Sequence, residues 1–276
     1  MSFAGMVPGV LGATIRDASR LPEHLPNATR VDPWTEATPE TLLFTVPGIA
    51  RYLVENGTTI TVEPAPDAPR NAVELFLHGS ARGTLIHQRG ELPLEATTLV
   101  APNGGAVALS GFSGSGKSTI AAELCRRGWS LISDDITRVT WARGRALAWP
   151  SHDALKLWKD ACNSLEINTE ALPRVREGLE KFQVKMPAAS APTVLRAVIR
   201  LQIVKYLRMV PLPADRGALT ISESTFRWRQ IAALRRQKDH ETIVQQTARL
   251  CRVMILNGAR EYSAAILADH IARAVP

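Results

Sequence analysis

The sequence is poor in cysteine and aromatic residues, and it has no long apolar run. Its 3 cysteines, Cys125, Cys162 and Cys251, are odd in number and lack metal-ligand spacing. We therefore expect neither a disulfide framework nor a structural zinc site. No apolar stretch reaches the roughly 18 residues of a membrane span, so we expect no membrane association. Residues 1–8 lack the basic start and the long apolar segment of a secretory signal. These absences predict a cytoplasmic protein.

What the sequence does contain is typical of a globular protein. Apolar residues make up 45% and charged residues 21% of its 276 positions, which suits one large domain or one core with a smaller partner. Lys and Arg (33) exceed Asp and Glu (26) by 7, and this excess favours anionic ligands. We expect no nucleic acid as partner, because no recognition motif and no interleaving of aromatic and basic residues is present.

Residues 111–119 read Gly-Phe-Ser-Gly-Ser-Gly-Lys-Ser-Thr and fit a phosphate-binding loop, or P-loop. The glycines allow a tight turn whose backbone N–H groups face anionic oxygens. Lys117 would reach the β- and γ-phosphates of a nucleotide, and the Ser118 hydroxyl would ligate Mg²⁺. The residues expected to bind the nucleotide are Gly111, Ser113, Gly114, Ser115, Gly116, Lys117, Ser118 and Thr119.

The segments around this loop favour the same interpretation over a glycine-rich turn that binds nothing. Residues 105–110 are a short apolar run that predicts a buried strand. Residues 119–127 place Ile120 and Leu124 at helical spacing, and Gly128 ends the helix. Strand, loop and helix follow in the order that a P-loop requires.

Two adjacent carboxylates, Asp134 and Asp135, follow the next apolar segment. Asp134 lies 134 − 117 = 17 residues after Lys117, which leaves room for one helix and a return strand that ends beside the P-loop. Phosphoryl transfer needs carboxylates near the γ-phosphate, for the metal and for the attacking hydroxyl. The alternative is a turn acid followed by a helix cap.

The segment from Gly111 to Asp135 resembles the catalytic core of HPr kinase/phosphorylase. The resemblance rests on the P-loop, the Glu-Leu-Cys-Arg-Arg-Gly helix end at 123–128 and the Asp-Asp pair at this separation. Residues 41–100 resemble the shorter HPr-kinase-like proteins, some of which are encoded beside lasso-peptide genes and phosphorylate a peptide serine. The N-terminal domain of the long family members is not recognisable.

The resemblance implies a mixed α/β fold with a phosphoenolpyruvate-carboxykinase-like core, and ATP and Mg²⁺ as cofactors. It implies that Asp134 is the base toward the acceptor hydroxyl and that Asp135 lies near Mg²⁺ or Lys117. A lysine of the looser family pattern falls near Lys181, where it could stabilise the transferred phosphoryl group, although a solvated helix face is the alternative. Family members often oligomerise, so a homo-oligomer is a possible assembly.

Two positions depart from the family pattern. Relatives usually have Leu-His-Ala in the strand before the P-loop, whereas this chain has Leu94-Glu95-Ala96. Glu95 is either an added base or metal ligand, or a position without a role. HPr kinases carry Glu directly after the P-loop serine, where this chain has Thr119. HPr itself is therefore not the expected acceptor.

The pattern of the chain predicts a small α+β region over 1–90 and a kinase core over 91–276. In the first region we expect a strand near 12–16, irregular chain to 40, strands over 41–46, 50–54 and 58–62, and a helix from 71 to about 87. In the core we expect strands over 92–100, 129–133, 136–141, 146–149, 194–204 and 251–256. The expected helices cover about 152–162, 173–182, 222–236, 240–250 and 262–274.

The leading hypothesis is an ATP-dependent kinase that phosphorylates a hydroxyl, with a serine of a peptide or protein as acceptor. One alternative is a P-loop kinase of a small metabolite. Another is a nucleotide-binding regulator that has lost catalysis, for which Glu95 is the main support. The identity of the acceptor and any reverse reaction are not encoded in a recognisable motif.

Overall fold

The computed structural model describes residues 10–151 and 153–275. Residues 1–9, on which the expected lack of a secretory signal rests, lie outside the described residues. The chain divides into two compact units, one formed by the residues up to Glu91 together with Arg227–Glu241, the other by Leu92–Phe226 and the residues from Thr242 onward. The domain boundary expected at 90/91 stays a prediction.

The protein is mixed α/β, as predicted, with strands outnumbering helices in both units. In chain order the strands are β1 (Thr14–Asp17), β2 (Thr29–Asp32), β3 (Thr35–Ala37), β4 (Thr41–Val46), β5 (Ala50–Glu55), β6 (Thr59–Pro64), β7 (Leu92–Val100), β8 (Ala106–Ser110), β9 (Ser130–Ser133), β10 (Ile136–Ala142), β11 (Arg145–Trp149), β12 (Ala154–Trp158), β13 (Lys181–Lys185), β14 (Thr193–Gln202), β15 (Arg208–Pro211) and β16 (Arg252–Asn257).

The helices are shorter than the predicted ones in several places. They are α1 (Arg70–Phe76), α2 (Arg82–Gln88), α3 (Lys117–Arg126), α4 (Lys159–Ser164), α5 (Ala214–Glu223), α6 (Gln230–Ala233), α7 (Gln237–Leu250) and α8 (Ala264–Ala274). A π-helical turn, Leu77–Ala81, joins α1 to α2. Among residues 10–151 and 153–275, none of these helices is long and apolar enough to cross a bilayer.

The first unit contains a six-stranded sheet in the order β1-β6-β5-β4-β3-β2. The predicted meander of β4, β5 and β6 is confirmed, and its second hairpin turns at Asn56 and Gly57, both with positive φ. Asn-Gly is the pair that such hairpin turns prefer. In β5, alternate residues are buried, so one face of the sheet packs on the core of the unit.

The helical segment from α1 to α2 covers that face. Its buried residues Val73, Leu77, Ala81 and Leu85 recur at every fourth position. An ordinary helix has 3.6 residues per turn, so a strict spacing of four would drift off the core face. The wider π-helical turn takes up the excess residue and keeps these side chains aligned.

The second unit is built on an eight-stranded sheet in the order β11-β10-β7-β8-β14-β16-β15, with β9 paired to β7. Because β11 also pairs with β14, the strands β7, β8, β14, β11 and β10 close into a ring. In β8 every residue is buried. Its alternate side chains face two cores: Val107 and Leu109 join the core that includes α3 and α8, whereas Ala106 and Ala108 join the core that includes β10 and β11.

Three helix predictions are wrong. The helix expected over 152–162 is wrong, because residues 154–158 form the strand β12 and the helix α4 begins only at Lys159. Residue 152 lies outside the described residues. Residues 173–182 form no helix and end in the strand β13. Alternation explains both strands, since Leu155, Leu157, Phe182 and Val184 are buried whereas their neighbours along the strands are half-buried or exposed.

The third wrong prediction is the helix over 222–236. Residue 222 lies in the last turn of α5, which begins after Pro213, and only α6 is helical in the remainder of that range. Proline fits the start of a helix because the missing N–H has no partner there. Residues 1–40 also contain two strands, β2 and β3, beyond the single strand that was expected.

The three cysteines should not react with thiol reagents in the folded protein. All are buried, and burial raises the pKa of Cys125 to about 11 and of Cys251 to about 12. Burial, followed by the nearby Asp160 carboxylate, raises the pKa of Cys162 as well. Since the thiolate is the nucleophile, titration with a thiol reagent at pH 8 should show slow reaction in buffer and fast reaction of all three thiols in denaturant. A fast-reacting thiol in the native protein would contradict this packing.

Candidate active site

The predicted phosphate-binding loop has the form that its sequence implies. It leaves the buried strand β8 and enters α3, whose first residue is Lys117. Gly111, Gly114 and Gly116 all have positive φ, which residues with a side chain rarely adopt. A Cβ on Gly111 would lie 3.0 Å from both the Leu201 carbonyl oxygen and Ser115 Oγ. The loop therefore requires glycine at this position for space as well as for backbone conformation.

The lysine of the loop folds back onto the loop itself. Lys117 Nζ donates to the carbonyl oxygen of Gly111 at 2.7 Å and to that of Phe112 at 3.2 Å. Burial lowers the pKa of Lys117, and the carboxylates of Glu95, Asp135 and Asp134 oppose that shift. The ammonium group is thus held over the loop and faces acidic groups. An anion on the loop would lie within its reach.

Asp134 is buried and receives three hydrogen bonds. Its Oδ1 accepts from Thr97 Oγ1 at 2.7 Å and from Ser118 Oγ at 3.1 Å, and its Oδ2 accepts from the backbone N–H of Lys156 at 2.9 Å. Only 3% of the residue is exposed. Burial raises the pKa of Asp134, the neighbouring Asp135 adds to the rise, and the bonds from Lys156 and Thr97 oppose it. The carboxylate is therefore fixed beside the serine of the P-loop.

Asp135 points in another direction because the backbone turns at this residue. The N–H of Ile136 donates to the Asp134 carbonyl at 2.9 Å across a three-residue turn, and Asp135 at its centre has φ of 66°. A positive φ in a residue other than glycine is a strained conformation that recurs at functional sites. The Asp135 side chain is 48% exposed and forms an ion pair with Lys156, whose Nζ lies 2.7 Å from Oδ2. Although partial burial opposes ionisation, the Lys156, Lys181 and Lys117 cations hold the pKa of Asp135 below its usual value.

A cavity of about 790 Å³ lies over the P-loop. The loop residues from Ser113 to Thr119 form one part of its lining, and Asp135 forms another. The strands β12 and β13 contribute Lys156, Trp158 and Lys181. Its size lies within the range of pockets that hold small ligands, and its wall carries cations beside a phosphate-binding loop. This is the arrangement expected of a site for a polyanionic ligand.

The structure brings together nearly all of the residues predicted to act. Ser113, Gly114, Ser115, Gly116, Lys117, Ser118, Thr119, Asp135 and Lys181 line the cavity, and Asp134 lies directly behind Ser118. Lys181 is on β13 rather than on a helix, and its Nζ lies 5.6 Å over the ring of Trp158. Glu95 is exposed on β7, where its N–H donates to the Ser224 carbonyl at 2.7 Å, and its charge acts on Lys117.

Two cationic residues of the site were not found from the sequence. Lys156 was placed on a helix, where its contact with the carboxylate pair could not be seen. Arg260 lies in the loop before α8, lines the cavity and is exposed. Its Nη1 would be 4.0 Å from a Cβ placed on Gly114. For Lys156, the alternation of Leu155 and Leu157 around it was the sequence signal that could have predicted a strand. Arg260 reaches the P-loop only through the tertiary fold.

Comparison with known proteins adds little to these observations. No protein-family model and no curated protein matches the chain. Among solved structures, the HPr(Ser) kinase/phosphatase from Coxiella burnetii is similar over 66% of this chain and 91% of that chain, with 13% identity and a TM-score of 0.32. A likeness with so low a TM-score carries no argument about this chain. The subgroup of short HPr-kinase-like proteins stays a prediction.

Thr97 should stabilise the folded protein through Asp134. Thr97→Val removes one of the three donors to a buried carboxylate, which should lower the free energy of unfolding by about 1–3 kcal/mol. Urea unfolding followed by circular dichroism measures the change. Thr193→Val is the matched control, because the Thr193 hydroxyl is bonded only to the Ala191 carbonyl at 3.3 Å in an exposed segment. Its effect should stay within about 0.5 kcal/mol. Equal stability of the two variants would contradict the role of Thr97.

Proposed function

We propose that this protein is an ATP-dependent kinase that transfers the γ-phosphoryl group to a hydroxyl, with a serine of a peptide or protein as acceptor. The observation that carries the proposal is the convergence, at one cavity, of a P-loop with its lysine and serine and a pair of adjacent carboxylates. Phosphoryl transfer requires these groups and little other protein chemistry.

The residues present fit a triphosphate and its metal ion. A Cβ on Gly114 or Gly116 would have no neighbour closer than 3.9 Å, so the loop has open space at these glycines. The first turn of α3 has N–H groups without intrahelical partners. Lys117 would hold the β- and γ-phosphates, Ser118 would ligate Mg²⁺, and Asp134, which is bonded to Ser118, would complete the metal surroundings. Bound Mg²⁺ supplies charge neutralisation for the phosphate oxygens.

The reaction is an in-line displacement at phosphorus. A bond forms between the acceptor hydroxyl oxygen and the γ-phosphorus, and the bond from that phosphorus to the bridging oxygen of ADP breaks. The hydroxyl proton passes to a carboxylate of the pair, and ADP leaves with the electrons of the broken bond. The protein contributes by positioning and by electrostatic stabilisation from Lys117 and the loop N–H groups.

The geometry supports a division of labour between the two carboxylates that differs from the one implied by the family resemblance. The resemblance gives the base role to Asp134. In the structure Asp134 is bonded to Ser118, the expected metal ligand, whereas Asp135 is half-exposed and lines the cavity that an acceptor would enter. We therefore propose that Asp135 accepts the proton and that Asp134 orients Ser118 and the metal ion.

Substituting the two carboxylates one at a time tests this division. Asp135→Asn should keep the affinity for ATP in the presence of Mg²⁺ and lose transfer by about 100-fold or more, because a general base contributes on that order. Asp134→Asn should lose the dependence of ATP affinity on Mg²⁺, because the group beside Ser118 is neutralised. Calorimetric titrations with and without Mg²⁺, together with transfer assays, measure both effects. The reverse pattern would return the base role to Asp134.

The proposed activity itself is tested by mass spectrometry of products. The protein is incubated with Mg²⁺ and ATP in the presence of serine-containing peptides or, in parallel, of a metabolite pool. Lys117→Ala is the control variant, because it should lose productive ATP binding. A phosphoryl mass increment on a peptide serine, absent with the variant, is the expected result. An increment only among metabolites would favour a small-molecule kinase, and nucleotide binding without any product would favour a regulator that has lost catalysis.

A further inference from the structure

Lys156 contacts both carboxylates of the candidate site. Its backbone N–H donates to Asp134 Oδ2 at 2.9 Å, and its side-chain Nζ donates to Asp135 Oδ2 at 2.7 Å. The two contacts are separable by mutation, because a substitution of the side chain leaves the backbone bond in place. The backbone bond to Asp134 fixes the position of residue 156, so the side-chain ammonium can take another partner while the strand stays in place.

The β12–β13 ribbon directs the Lys156 side chain into the cavity. In this ribbon Trp158 is opposite Lys181, and Lys156 lies two residues before Trp158, so the three side chains share one face. All three line the cavity over the P-loop. The other face carries Leu155, Leu157, Phe182 and Val184, which are buried in the core that also contains the apolar side of α3. The cationic face is thus anchored to the helix that begins at the P-loop lysine.

The ion pair between Lys156 and Asp135 is open to exchange. The Lys156 side chain is 21% exposed and that of Asp135 is 48% exposed. Both side chains line the cavity and the Asp135 carboxylate is half-exposed, so a ligand in the cavity can reach the pair and compete for the ammonium. A terminal phosphate group offers the ammonium more negative charge and more acceptor oxygens than one carboxylate does.

The other lysines that line the cavity are held in different ways. Lys181 lies over the Trp158 ring, and Lys159 pairs with Glu180 at 3.1 Å, both side chains being half-exposed. Lys117 is bonded to the carbonyls of its own loop. Among the lysines that line the cavity, Lys156 is the one whose ammonium is paired with a carboxylate of the Asp134–Asp135 pair.

We propose that Lys156 contacts the terminal phosphoryl group of the nucleotide and gives up Asp135 when it does so. This exchange brings the positively charged Lys156 ammonium against the phosphoryl group to be transferred. It also frees an Asp135 oxygen to accept the proton of the acceptor hydroxyl. Without a γ-phosphate the pair persists and Asp135 is occupied. The proposal rests on the proposed kinase function, and it adds a residue that distinguishes ATP from ADP.

The first test compares affinities for ADP and for the β,γ-imido analogue of ATP, both with Mg²⁺, by calorimetry. Lys156→Met keeps the length of the side chain and removes its charge. Its affinity for the ATP analogue should fall about tenfold or more, the loss expected for one charge-assisted hydrogen bond, while its affinity for ADP stays within about twofold. Lys156→Arg should retain most of the preference for the ATP analogue. Lys185→Met, on the same ribbon but 86% exposed and outside the cavity lining, should behave as wild type.

The second test uses the unmodified protein and does not depend on the folding of a variant. Lysines are labelled by acetylation in the presence of ADP or the ATP analogue, and the extent is measured by mass spectrometry. The ATP analogue should protect Lys156 more than ADP does, whereas Lys185 should label equally in both.

The outcomes separate this proposal from the function on which it rests. Equal losses of ADP and ATP-analogue affinity in Lys156→Met, or equal labelling of Lys156 with both nucleotides, would overturn the contact with the terminal phosphoryl group. Wild-type protein that binds neither nucleotide would overturn the kinase proposal itself. If the wild-type protein binds both nucleotides and Lys156→Met keeps the wild-type preference for the ATP analogue over ADP, the kinase proposal stands and only the role of Lys156 is wrong.

Discussion

The candidate site depends on the burial of one carboxylate between three elements. Asp134 receives hydrogen bonds from Thr97 on β7, from Ser118 in the first turn of α3, and from the backbone of β12. A buried carboxylate without such partners would be costly, so each of the three elements is held where it can donate. The same bonds fix the P-loop serine, and with it the start of α3, relative to the ribbon that carries Lys156. The contacts that satisfy the buried carboxylate therefore also position the residues of the candidate site.

The turn at Asp135 gives two neighbouring residues opposite surroundings. The three-residue turn directs Asp134 into the protein and Asp135 into the cavity. Burial then raises the pKa of the first, whereas cations lower that of the second. Two identical side chains in sequence thus differ in position, Asp134 being buried beside Ser118 and Asp135 lying in the cavity. The left-handed backbone at Asp135 is the strain that accompanies this separation.

Local patterns were enough to predict the P-loop, its flanking strand and helix, and the carboxylate pair. Those signals lie within a few residues of each other, and each has one dominant physical cause, such as the glycines of the loop or the apolar run of β8. The ribbon of β12 and β13 was missed because five alternating residues are too few to separate strand from helix when Ala161 and Cys162 extend the apolar pattern. The place of Arg260 beside Gly114 depends on the pairing of β16 with β14, which no local pattern encodes.

The proposed function requires that the cavity bind a nucleoside triphosphate through the P-loop, with its terminal phosphate between Lys117 and the carboxylate pair. A crystal structure with Mg²⁺ and the β,γ-imido analogue of ATP tests it most directly. We expect phosphate oxygens on the loop N–H groups, the metal ion at Ser118 beside Asp134, and Lys117 Nζ moved from the Gly111 carbonyl to the phosphates. A nucleotide bound elsewhere, with Lys117 still on Gly111 and the loop empty, would contradict it.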